Sequence, residues 1–243
     1  MGTISELTEI KICRSCYSNH LENVFSLGDQ FLSEFRNDDK KPSRYPLDIV
    51  LCTNCKLLQL KYNTPLSELY TENYGYRSGI SDTIRANLAE IVKEAKNYTW
   101  GGTGVTVIDI GSNDGTLLAQ YSSDVKRIAI EPIYKFAEES QKYADIVINS
   151  FFDDEACKKL QADGVKADIV TSISMFYDLQ DPNNFIKNVK SVLAKDGIWI
   201  IQQNYLIGML TNNALDNIVH EHLEYYSLLS LETLLEKHEL EIF

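Results

Sequence analysis

The apolar positions of the chain fall into two patterns. From Ser78 to Lys96, the residues Ile80, Ile84, Leu88, Ile91, Val92 and Ala95 recur at intervals of three and four, which places one apolar stripe on a helix. The glycine-containing run Asn97–Gly104 ends it. Five later runs are short and apolar along their whole length: VTVIDI (105–110), RIAIE (127–131), DIVIN (145–149), DIVTSI (168–173) and GIWIIQQ (197–203). Helical stretches separate them, and strands of this kind alternating with helices predict a parallel sheet covered on both faces. Nearer the amino terminus, ENVFSLGDQ, PLDIVLC and LLQLKY predict short strands and turns, in a segment too poor in core to fold alone.

In open sheets of this type, ligands bind beyond the carboxyl ends of the strands. Those ends carry Asp109-Ile110-Gly111-Ser112-Asn113-Asp114-Gly115, then Glu131, then Phe152, then Ser174 and finally Gln203-Asn204-Tyr205. The first turn has glycines four apart, unlike the GxGxxG of dinucleotide folds, and its aspartates oppose a phosphate. They suit a ligand with a cationic centre and an amino acid part, as in S-adenosylmethionine. Glu131 can accept from both ribose hydroxyls. Asp109, Gly111, Ser112, Asn113, Gly115, Glu131, Phe152 and Ser174 are the candidate cofactor residues; a strand-to-helix turn with no ligand is the plain alternative.

The cysteines add a second chemistry. Cys13-Arg14-Ser15-Cys16 and Cys52-Thr53-Asn54-Cys55 are two CxxC pairs, each able to place two thiolates on adjacent corners of a tetrahedron around Zn²⁺. A closed set of four leaves no open position, which points to a structural metal. An iron–sulfur cluster uses the same ligand type, and four unrelated thiols are the third reading. Cys157 stands alone on the apolar side of an expected helix and has no assigned role.

Composition narrows the classes. With 35 acidic against 23 basic side chains and a net charge of −12, no basic stripe is available for a phosphate backbone, so nucleic acid is not expected as substrate. Residues 1–12 hold acidic groups and no long apolar run, and no later run reaches membrane-spanning length, so neither a signal peptide nor a membrane association is expected and a cytoplasmic location is. Oligomeric state is not readable.

The stretch HEHLEYY brings His220, Glu221 and His222 together with Tyr225 and Tyr226. It admits three readings: a metal pair, an acid/base group, or a satisfied polar pair. Because four cysteines already complete a zinc site, the acid/base reading is favoured. His222 is the favoured base, with Glu221 or a nearby group orienting its ring, in a stretch expected near the mouth of the ligand cleft rather than near the cysteine lobe.

Taken together, VIDIGSNDGTLL followed by IAIEP, the two CxxC pairs, RYPLDIVLCTNC, ENYGYRSGIS and NIVHEHLEYYSL resemble the sugar C-methyltransferases, which act on nucleotide-linked 4-keto deoxysugars. The resemblance implies an α/β fold: a Rossmann-like class I methyltransferase sheet binding S-adenosylmethionine at 78–243, behind a Cys₄ zinc-binding lobe at 1–77. It further implies a carboxy-terminal α/β domain that this chain does not reach, since it stops at LEIF, read as lying within a strand. The implied reaction methylates a carbon next to the ketone through an enolate. His222, Glu221 and His220 are its acid/base candidates, with Tyr74 and Tyr76 as donors to the enolate oxygen or as packed hinge residues. Arg77 is a candidate for the diphosphate. Two positions depart from the family pattern: Val219 stands where a tyrosine is common, and Asp178 where a histidine is. Methylation of oxygen or nitrogen, or a non-catalytic zinc module, are the competing functions.

Overall fold

The computed structural model describes residues 6–33, 39, 41–98 and 104–243. Parts of the amino-terminal reading (1–5) and of the helix-ending glycine run (99–103) lie outside the described residues. In chain order the strands are β1 Thr8–Glu9, β2 Leu21–Phe31, β3 Arg44–Cys52, β4 Leu58–Leu60, β5 Tyr62–Asn63, β6 Thr106–Ile110, β7 Lys126–Ile130, β8 Ile146–Ile148, β9 Ala167–Ile173, β10 Leu193–Gln202 and β11 Glu224–Tyr225. The helices are α1 Leu66–Leu69, α2 Asp82–Ala95, α3 Tyr134–Ser140, α4 Asp154–Ala162, α5 Pro182–Val192, α6 Leu206–Asn212 and α7 Leu228–Glu236.

The chain divides into two compact units. The sheet unit comprises Gly75–Ile173 and Asn188–Gln202; the metal unit holds the described residues up to Tyr74 together with Ser174–Lys187 and Gln203–Phe243. Chain order therefore does not separate them at a single point.

In the sheet unit, five strands run in the order β10-β9-β6-β7-β8 with every pairing parallel. All five expected strands form. The order of the strands reverses at β6, whose neighbours are β7 and β9, so the turn after β6 opens at the switch point of the sheet. Helix α2 covers it through Leu88, Val92 and Ala95, which pack in one cluster with Val107, Leu118, Ala129 and Ile169. Burying a Val, Leu or Ile side chain of this cluster contributes about 1.5–3 kcal/mol. The helix is shorter than its sequence pattern: the Ser81 side chain accepts from the Ile84 amide and caps it, a separate 3₁₀ turn covers Ser78–Ile80, and Ile80 is exposed instead of joining the stripe. Cys157 is buried on α4 as expected.

In the metal unit, β11-β4-β3-β2 form an antiparallel sheet and β1 pairs with β5. Leu47, Ile49, Leu60, Leu223 and Tyr225 make its core. The HEHLEYY stretch enters this sheet: Glu224 lies opposite Gln59, Tyr225 opposite Leu58, and the Leu60 amide donates to the Leu223 carbonyl at 2.9 Å. This corrects the expectation that the stretch stands away from the cysteine lobe. A two-residue strand is recruited by ladder hydrogen bonds and by the apolar contacts of Leu223 and Tyr225, neither of which depends on distance along the chain. The LEIF end forms no strand.

Candidate active site

The metal site is built from two copies of one turn. The amide of Tyr17 donates to the Cys13 carbonyl at 3.0 Å and that of Lys56 to the Cys52 carbonyl at 2.9 Å; Cys13 N donates to Ser18 O and Cys52 N to Leu57 O. Tyr17 and Lys56 both take positive φ, 61° and 62°. The chain thereby folds back after each CxxC pair. The four sulfurs all lie within 4.8 Å of one another, with Cys13–Cys55 and Cys16–Cys52 at 3.5 Å. A tetrahedron with Zn–S bonds of about 2.3 Å has edges of roughly 3.8 Å, so four thiolates at these spacings fit Zn²⁺. Gln59 Nε2 donates to the Cys13 sulfur at 3.2 Å, a hydrogen bond of the kind that steadies a metal thiolate. The spacing of the cysteines revealed the ligands, whereas Gln59 carried no signal.

In the sheet unit, the turn after β6 is held by backbone geometry. Gly111 (φ 70°), Asn113 (φ 51°) and Gly115 (φ 79°) all take left-handed conformations. A Cβ on Gly115 would come within 3.0 Å of the Ser140 Cα, so only glycine fits. Glu131 accepts the Asn113 amide at 2.9 Å on one oxygen and the Ile133 amide at 2.8 Å on the other. Burial pushes its carboxyl up to about 6 against those two amides. Each oxygen keeps a lone pair for a further donor such as a ribose hydroxyl. Asp109 points within the sheet: it is buried, accepts from Thr171 Oγ1 at 2.6 Å, and is raised to about 7, mainly by desolvation with Glu131 adding repulsion.

Asp114 and Asn113 hold a strap across this turn. Asp114 accepts from the Gly79 amide at 2.9 Å and from Arg77 Nε at 3.3 Å; Asn113 accepts from the Ser78 amide at 3.0 Å and donates to the Tyr76 carbonyl at 3.1 Å. Arg77 also pairs with Glu139. Its charge is thus committed to two carboxylates, which corrects its expected use for a diphosphate. Tyr76 is 45% exposed. Phe152 is buried beyond β8, in a loop whose Asn149 donates to the Glu131 and Pro132 carbonyls. Ser174 directly follows β9 with φ 54° and is exposed; Ser112 is buried.

The metal unit gathers the acid/base candidates. His222 Nδ1 lies 2.8 Å from the Asn217 carbonyl, which can only accept, so Nδ1 carries the hydrogen and Nε2 of the neutral ring keeps its lone pair. The ring sits edge-on to Tyr177 with centroids 4.5 Å apart. Desolvation lowers its pKa, the Asn217 hydrogen bond opposing, which keeps the ring neutral with the Nε2 lone pair free to accept a proton. The expected Glu221–His222 pair is not made: Asn217 orients the ring, and Glu221 Oε2 is buried without a hydrogen-bonding partner. Burial raises the Glu221 carboxyl. His220 is 1% exposed and donates from Nε2 to the Tyr45 carbonyl at 3.0 Å, a bond that ties the stretch to β3.

Around them lies a group that periodicity did not reveal. Tyr70 donates to Asp178 at 3.1 Å, and the Tyr74 ring packs 5.5 Å from that of Tyr70. Burial raises the Asp178 carboxyl well above the usual range and nearby Glu221 adds to it, Tyr70 opposing. Tyr225 and Tyr226, which end the same stretch, are 2% and 1% exposed, and Tyr226 stacks on Phe176 at 5.5 Å.

A parallel sheet whose first turn is glycine-built and acidic, with an acid closing the second strand, defines a methyltransferase of the S-adenosylmethionine-dependent class. Residues 13–70 match a family described as "Putative zinc binding domain" and residues 76–243 one described as "Methyltransferase domain". The second match spans well over half of the sequence, and the chain belongs to that methyltransferase family, with a zinc-binding domain in front. The C-methyltransferase NovU of Streptomyces niveus is 27% identical over 235 residues, which are 95% of this chain and 56% of that protein. The chain thus spans little more than half the length of this curated relative. Among solved structures, the plantazolicin methyltransferase BpumL in complex with SAH matches with a TM-score of 0.53 over 65% of each chain at 14% identity. The YcgJ protein of Bacillus subtilis matches with a TM-score of 0.50 over 64% of this chain and 68% of its own at 17% identity. Likeness at these identities is one of fold. No helix among the described residues is long and apolar enough to cross a membrane.

Proposed function

We propose that the chain is the methyltransferase part of an S-adenosylmethionine-dependent C-methyltransferase that acts on a carbon next to the ketone of a nucleotide-linked keto deoxysugar. The observation that carries this reading is His222, whose Nδ1 is committed to the Asn217 carbonyl so that Nε2 stands ready as a base. Methylation of oxygen or nitrogen starts from a lone pair and has less need of one; methylation of carbon requires a proton to leave first. The 27% identity to a C-methyltransferase supports the same choice.

In this mechanism His222 Nε2 takes the proton from the carbon beside the ketone, and the C–H electron pair moves into the enolate. S-adenosylmethionine, when bound, would supply an electrophilic methyl group for that carbon. Glu131 would hold its ribose, and the turn from Gly111 to Gly115 its amino acid part. A donor at the enolate oxygen is needed while negative charge develops there, and Tyr74 or Tyr76 is the proposed source. Burial raises the carboxyls of both Glu221 and Asp178, which disfavours their charged forms in this part of the unit. The four cysteines would hold zinc as a structural ion with no open position for substrate.

The test is deuterium exchange at the sugar carbon of dTDP-, GDP- and CDP-linked keto sugars in D₂O without methyl donor. Exchange that requires His222 is expected. Methyl transfer proceeding with no exchange in any of these substrates would overturn the carbon reading in favour of oxygen or nitrogen.

A further inference from the structure

Arg14 lies inside the first CxxC pair, where a long cationic side chain would ordinarily reach for solvent. Instead it is 5% exposed. Its Nη1 donates to the Leu60 carbonyl at 2.7 Å and to Gln59 Oε1 at 3.3 Å, its backbone amide donates to the same Gln59 oxygen at 3.2 Å, and Nη2 donates to Asn63 at 2.5 Å. Gln59 spends its other end on the Cys13 sulfur. Asn183 Nδ2 donates to the carbonyls of Arg14 and Ser15 at 2.7 and 2.9 Å, so the knuckle backbone is held as well.

The remaining nitrogen, Arg14 Nε, faces Glu224 Oε1 at 3.8 Å, with both side chains almost wholly inaccessible. Glu224 lies two residues after His222 and opposite Gln59 in the β11–β4 ladder. Its two carboxylate oxygens are buried with no hydrogen-bonding partner, and Arg14 Nε has none either. A pair this far apart and this poorly solvated is a weak source of stability, because desolvation of the two charges offsets their attraction. What it does provide is direction: a charge fixed to the metal knuckle faces a charge fixed to the acid/base stretch.

We propose that Arg14 and Glu224 are positioning residues that couple the metal knuckle to the HEHLEYY stretch, so that the ion held by the four cysteines sets the placement of the His222 ring. The chain of contacts runs from Cys13 through Gln59 and Arg14 to Glu224, and then two residues along the backbone to His222. This inference rests on the reading of His222 as the base, but its test reads the ring's position and not its chemistry. The two can therefore fail separately.

The experiment exchanges Zn²⁺ for the larger Cd²⁺ in the full chain and follows the ring resonances of ¹⁵N-histidine-labelled protein, with His222→Asn used only to assign the His222 signal. In the unsubstituted protein the exchange is expected to move the His222 resonances. In Glu224→Gln the displacement falls by about half or more, since the charge that transmits it is gone. Arg14→Met combined with Glu224→Leu is measured alongside, because an apolar pair of similar volume folds where a lone buried charge does not; there too the displacement is lost. Gln59→Leu, which removes the hydrogen bond to Cys13, is expected to weaken metal affinity roughly tenfold against a competing chelator. Resonances of His222 that ignore the metal, or that move equally in the substituted proteins, would overturn the coupling and leave the pair as packing alone.

Discussion

The turn after β6 and the HEHLEYY neighbourhood are both buried and acidic, yet they treat their polar groups in opposite ways. In the turn, Glu131 has an amide on each oxygen, Asp114 holds Gly79, Arg77 and Thr116, and Asn113 is bonded through its backbone and both ends of its side chain, with Ser112 Oγ the exception, buried without a partner. In the metal unit, Asp178 Oδ1, Glu221 Oε2, both oxygens of Glu224 and the hydroxyls of Tyr225 and Tyr226 are buried without hydrogen-bonding partners. The first arrangement is preorganised and costs little to keep. The second holds carboxyls and phenols out of water at a cost of the order of 1–3 kcal/mol for each unsatisfied group.

This contrast can be broken most severely at the metal. Cys52→Ser should abolish zinc binding and unfold the metal unit, since a structural zinc contributes on the order of 10 kcal/mol to a lobe of this kind. Limited proteolysis should cut the HEHLEYY stretch early in that variant while S-adenosylhomocysteine still binds by calorimetry. Equal loss of both would argue that the two units depend on one another. His222→Asn comes next: exchange of the sugar C–H should slow about 10²- to 10⁴-fold with cofactor affinity retained. Because burial lowers the His222 pKa below 6.5, the unsubstituted protein should keep its exchange activity to below that pH before protonation silences the base.

Asp109 provides a stability test within the preorganised region. Its carboxyl is raised in the folded state, from 3.8 to about 7, so its favourable contribution is fully present below pH 3.8 and is lost as the pH rises through about 7. At 1.36 kcal/mol per unit, the loss is about 4 kcal/mol at most. Urea melts at pH 5 and pH 8 should show the unsubstituted protein weakening with pH, and Asp109→Asn, which can still accept from Thr171, weakening less. A smaller effect is expected from Glu131→Gln, which turns one acceptor into a donor facing an amide and should weaken S-adenosylhomocysteine binding at least about tenfold in calorimetry. Tyr70→Phe removes one hydrogen bond to Asp178 and should cost about 1 kcal/mol in a urea melt. If it costs nothing, the Asp178 carboxyl has found another donor, and the two regions differ less in how they satisfy their polar groups.

Much of this was legible before the structure. The five apolar runs between Val105 and Gln203 specified the parallel sheet because strands buried on both faces leave no polar alternation, and the two CxxC pairs specified the ligands because thiolate geometry demands that spacing. The glycines of the first turn and Glu131 were legible for the same reason: a tight turn and a strand end have local requirements. Less visible were the Asn217 carbonyl that orients His222, the Tyr70–Asp178 hydrogen bond, and the inward turn of Arg14. Each joins residues that no short-range pattern relates. Ile80 misled because its spacing fits the α2 stripe, but Ser81 caps the helix first. Arg77 misled because a sequence lists charges without their partners.

What the sequence determined by itself was therefore the set of local elements and the chemistry available to them: a zinc-ready cysteine quartet, a glycine-built acidic turn, and a histidine pair. Only the tertiary structure decided that HEHLEYY joins the cysteine sheet through Glu224 and Tyr225, that His222 takes its orientation from Asn217 and not from Glu221, and that Arg14 faces Glu224. The physical reason is that periodicity and turn chemistry act over a few residues. Strand pairing and the satisfaction of buried polar groups are settled by which distant segments can share one core.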